Sequence, residues 1–99
     1  MLFNWFDASQ EKQFGHALAE SLIDRLALEE PAANNRLRGK RHDAMLHNMQ
    51  QQITEFTLDR KLNTYKKAQL GNAFKWTLKD KGYDPEYVDQ ITNWLMLKI

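Results

Sequence analysis

Apolar residues recur along this chain every three to four positions, and no stretch alternates apolar and polar one by one. The first stripe is Phe14, Leu18, Leu22, Ile23 and Leu26, with Gln13, Glu20 and Asp24 on the opposite side. That period turns one face of a helix toward a core. Asp7 precedes the stripe as an N-cap, and Gln10 three residues later completes the Asp-x-x-Gln form of a capping box. Pro31 ends the helix, because proline disfavours α geometry at the residue before it and has no N–H to donate. A first helix is therefore expected over residues 8–29, with Pro31 to Gly39 as the connection.

Leu46, Met49, Ile53 and Phe56 follow at spacings of three, four and three, which predicts a second helix over 42–58. The stripe then changes phase to Leu58, Leu62 and Tyr65. One continuous helix would have to turn a new face to the core, so a break or kink is expected at Asp59 or Asn63. A third helix is predicted over 64–81, with Leu70, Ala73, Phe74, Trp76 and Leu78 as its apolar arc and Gly82 as a left-handed cap. Asp84-Pro85-Glu86 is a strong start signal: an N-cap, a proline at the first helical position and an acid in the first turn. The fourth helix, 85–98, is expected to bury Val88, Ile91, Trp94, Leu95 and Leu97. The pattern predicts an all-α fold, a single small domain over 1–99 with four helices in an orthogonal or irregular bundle.

Gly15 and Gly71 fall inside predicted helices, where each costs about 0.8–1 kcal/mol relative to alanine. A close helix–helix approach is the expected compensation. Eleven aromatics in 99 residues supply enough apolar area to offset the entropy of ordering. The chain has no cysteine, which excludes disulfides, thiolate nucleophiles and Cys-type zinc or iron–sulfur sites. No apolar run approaches the ~20 residues that span a bilayer. The opening Met1 to Phe6 lacks the basic and long apolar regions of a secretory signal. A cytoplasmic protein with no membrane partner is expected.

The four glycines are isolated, so no phosphate-cradling loop exists, and neither G-x-S-x-G nor H-E-x-x-H occurs. The expectation is a protein that is not an enzyme and carries no cofactor. His16 with Glu20, and Asp43 with His47, are i,i+4 pairs of the kind that hold a metal between packed helices. Surface histidines account for them more simply, and no metal is expected.

Charge is uneven along the chain. Residues 1–35 sum to −4, residues 36–83 to +7 and residues 84–99 to −2. Arg36, Arg38, Lys40 and Arg41 cluster before the second helix, while Lys67, Lys75 and Lys79 share an arc of roughly 120° on the third. Arg60 and Lys61 would join that arc if the helix were continuous, and Gly71 lies inside it, where a backbone can approach a phosphate. These seven residues make nucleic-acid binding the second functional expectation. Asp84, Glu86 and Asp89 weigh against it, since the helix that would enter a groove starts with three carboxylates. The first expectation is a non-catalytic protein–protein interaction module, self-associating as a homodimer through apolar faces and chain ends. Phe3, Trp5, Phe6, Met45, Met49, Trp94 and Met96 are the side chains expected to make that contact. Packing of the two chain ends on each other is the competing expectation for the terminal aromatics.

Overall fold

The computed structural model describes residues 7–27, 40–58 and 60–99, with side chains at 7–25, 43–58 and 60–99. Among the described residues there are four helices and no strand: α1 (Ser9–Ala27), α2 (Lys40–Thr57), α3 (Thr64–Asp80) and α4 (Pro85–Lys98). None of them is long and apolar enough to cross a membrane. The fold is all-α, as the apolar periodicity requires.

The helix ends show why the chain breaks where it does. At α1 the expected capping box is replaced. The Asp7 carboxylate folds back on Ser9, accepting from its N–H at 3.1 Å and its hydroxyl at 2.7 Å. The Ala8 carbonyl takes the first helical N–H, from Lys12 at 2.8 Å, and the Gln10 amide engages Arg60 instead of returning to the cap. Between α2 and α3 the helix does break. Asn63 caps α3, its side-chain oxygen accepting from the Lys66 N–H at 2.8 Å. After α3, Gly82 adopts φ +87°, so its N–H reaches the Lys79 carbonyl while the Tyr83 N–H reaches Leu78. That left-handed cap reverses the chain. Asp84 then accepts from the Tyr87 N–H at 3.2 Å and starts α4 on Pro85.

The core joins all four helices: Leu18, Ala19 and Leu22 of α1; Met45, Met49 and Ile53 of α2; Leu70, Phe74 and Leu78 of α3; Tyr87, Val88, Ile91 and Leu95 of α4. The largest interface is α1 on α3. It closes at Gly15, where an added Cβ would overlap the Leu70 carbonyl oxygen and stand 3.2 Å from the Ala73 methyl. The start of α1 shares a crevice with Lys66 at the start of α3, and His16 Nδ1 lies 3.0 Å from the Thr77 hydroxyl further along, so the two helices run in the same sense. α4 returns antiparallel along α3, with Met96 seated over Gly71. α2 meets α1 where Phe56 stacks on Phe14, ring centroids 4.1 Å apart and nearly parallel at 8°. Both mid-helix glycines thus sit at close helix contacts. The arrangement leaves α3 and α4 side by side, each with one flank free of the core.

Candidate interaction surface

Two of the apolar side chains expected to meet a partner lie in the core. Met45 and Met49 are 2% and 1% exposed. The buried seam of α2 runs Met45, Met49, Ile53 at spacings of four, with Leu46 and Phe56 half-buried beside it, so both thioethers fill the interior. Trp94 is half-buried, packed against the core with the Lys98 ammonium 5.9 Å from its ring. Met96 is 39% exposed, although its sulfur covers Gly71. Phe3, Trp5 and Phe6 lie outside the described residues.

The apolar surface is found elsewhere. Trp76 is 56% exposed and Leu97 85% exposed, both on positions expected to be buried. The reason is angular. Trp76 follows the buried Phe74 by two residues and Leu97 follows the buried Leu95 by two, which on a helix is a turn of about 160° away from the core. That two-residue offset was the available signal. The outward stripe of α3 is Tyr65, Ala68, Asn72, Trp76 and Asp80; that of α4 is Glu86, Asp89, Asn93 and Leu97, with Gln90. Lys75 and Lys79 flank the α3 stripe, and the Lys79 ammonium sits 5.1 Å from the Trp76 ring centroid, a cation–π contact at the surface. Among the described residues, Lys75, Lys79, Glu86 and Asp89 form no ion pair; His16 with Glu20, at 3.5 Å, is the pair observed.

The basic residues do not assemble into one open face among the described residues. Arg36 and Arg38 lie outside them, as do the side chains of Lys40 and Arg41, whose backbone begins α2. Lys67, Lys75 and Lys79 are each half-buried on α3. Between Lys67 and Lys75 the arc is filled at Gly71, where an added Cβ would stand 2.6 Å from the Met96 sulfur. No phosphate can approach that backbone while α4 lies on it. Arg60 and Lys61 belong to the α2–α3 connection rather than to α3, and the Arg60 guanidinium is held over the Phe56 ring at 4.4 Å.

At the same end of the molecule a polar crevice of about 260 Å³ is lined by Asp7, Gln10, Glu11, Arg60 and Lys66. Glu11 is 3% exposed, a carboxylate on the buried face of α1 with two cations beside it. The two hydrogen bonds from Ser9 hold the Asp7 carboxyl below its ordinary range, and the Lys66 charge adds to the effect. Tyr83, beside Tyr87 at 6.4 Å, has its phenol pushed up by burial. His16 donates or accepts at Thr77 and faces Glu20, while Asp43 and His47 stand exposed on α2. The four do not converge, and among the described residues no three His, Asp or Glu side chains come together as a metal site.

Comparison with protein-family models, curated proteins and solved structures finds no match.

Proposed function

We propose that this chain is a non-catalytic, self-associating protein–protein interaction module of the cytoplasm. The observation that carries the reading is Trp76, a tryptophan more than half exposed on the outward side of α3, with Leu97 outward on the neighbouring helix. Tryptophan is enriched where proteins meet, because its large rigid ring buries much area at little entropic cost. Isolated exposed leucines such as Leu58 are ordinary surface features, but a tryptophan and a leucine on adjacent helices favour a contact face. The cysteine-free composition supports the cytoplasmic placement.

Size-exclusion chromatography with light scattering, run over a range of concentrations, tests this. A dimer has twice the 11.7 kDa mass of one chain. The wild type should shift toward that mass as concentration rises. A double variant, Trp76→Ala with Leu97→Ala, should stay monomeric with an unchanged helical circular dichroism spectrum. A wild type that remains monomeric at millimolar concentration would contradict the self-association.

A further inference from the structure

We infer that the partner on this surface is a second copy of the chain, docked face to face so that α3 of each copy lies on α4 of the other. The inference rests on the self-association proposed above and adds the register in which the two copies meet. It is argued from charge. Lys75 and Lys79 flank the outward stripe of α3, which ends on Asp80, while Glu86 and Asp89 stand in the outward stripe of α4. The outward layer therefore carries two lysines beside one helix and two carboxylates on the next. A surface split in this way is self-complementary under a two-fold axis parallel to the helices, which places the lysines of each copy over the carboxylates of the other.

The heights along the helices agree with that docking. Gly71 stands opposite Met96 in the antiparallel pair, which fixes the level of every other position. Counting from there at 1.5 Å per residue, Lys75 and Lys79 bracket the height of Asp89, and Glu86 lies roughly 3 Å beyond Lys79. A two-fold axis along the helices preserves heights, so the same four residues meet across the interface. Leu97 then comes down between Ala68 and Asn72 of the second copy. Within one chain these lysines and carboxylates do not pair, although α3 and α4 are neighbours. A nucleic acid is the poorer occupant: half of the same face is acidic, and a backbone carrying a phosphate every ~1.7 Å along a duplex cannot avoid it.

The test is a charge-swap series read as mass by sedimentation velocity at low salt. Lys75→Glu with Lys79→Glu should be monomeric, since both helices of the face are then acidic. Glu86→Lys with Asp89→Lys should be monomeric for the converse reason. An equimolar mixture of the two variants should recover a dimer, because acidic and basic helices again oppose each other at both contacts. Raising salt from about 0.05 M to 0.5 M should weaken the wild-type dimer several-fold. The neutral pair Lys75→Gln with Lys79→Gln, also weakened, guards against misfolding of the reversed variants, and circular dichroism reports the fold of each. A wild-type dimer unaffected by the swaps, or a mixture that stays monomeric, overturns this register while self-association stands. A monomeric wild type overturns both.

Discussion

At the scale of single residues, the two mid-helix glycines separate helix propensity from packing. At Gly15 an added methyl meets backbone, the Leu70 carbonyl, which yields only if α1 and α3 move apart. Overpacking of that kind costs about 1–3 kcal/mol, against a propensity gain of about 1 kcal/mol. Gly15→Ala should therefore destabilise the fold by up to about 2 kcal/mol in urea unfolding. At Gly71 the obstacle is the flexible end of Met96, so Gly71→Ala should fall within about 0.5 kcal/mol of wild type. Asp7 makes a different prediction. Its folded carboxyl titrates below the ordinary value of 3.8, so its contribution is complete above that pH and is lost as pH falls through the lowered value. Asp7→Asn should lower stability above that acid window, where the carboxylate's contribution is complete, and leave strongly acid pH nearly unchanged, so that the profile flattens, as pH-dependent melting would show. Both glycines were legible as close contacts from the propensity cost of glycine inside a helix, but which atom each one meets was not. Helical period fixes the face of a residue, whereas the opposing atom depends on how two helices cross.

Single helices were the most legible level, because their stop and start signals are local. Asp84-Pro85 and Gly82 act through hydrogen bonds within five residues, and both form as read. Asp84→Ala should cost about 1 kcal/mol through loss of the cap on the Tyr87 N–H. Asn63→Ala should cost a similar amount, and its effect also confirms that α2 and α3 are separate helices. The α1 cap departed from its reading because Ser9 offers the Asp7 carboxylate two donors at shorter range than the box requires. The methionines of α2 departed for another reason. Adjacent apolar positions 45, 46, 49 and 53 admit two seams, and only tertiary packing chose Met45, Met49 and Ile53. Met49→Ala should cost about 2–5 kcal/mol, as for a buried thioether, while Leu97→Ala should change stability by less than about 0.5 kcal/mol. Chemical denaturation of the two variants compares them directly.

On the scale of the whole molecule, four amphipathic helices bury one stripe each and leave an outward layer with Lys75 and Lys79 beside α3 and Glu86 and Asp89 on α4. The core was readable from periodicity; the surface was readable only in part. Trp76 and Leu97 counted as apolar and were assigned inward, yet their positions two residues past Phe74 and Leu95 turn them outward. The charge blocks were visible along the chain, but their placement on adjacent helices depends on the Gly82 reversal and the Gly71–Met96 contact. The central claim is that partners meet this outward layer and not the methionine seam of α2. It is tested most directly by recording the backbone amide spectrum across a dilution series. Concentration-dependent shifts should cluster on the outward positions of α3 and α4, from Tyr65 to Lys79 and from Glu86 to Leu97. Shifts confined to the outward side of α2, around His47 and Gln51, or a spectrum unchanged by concentration, would contradict the account.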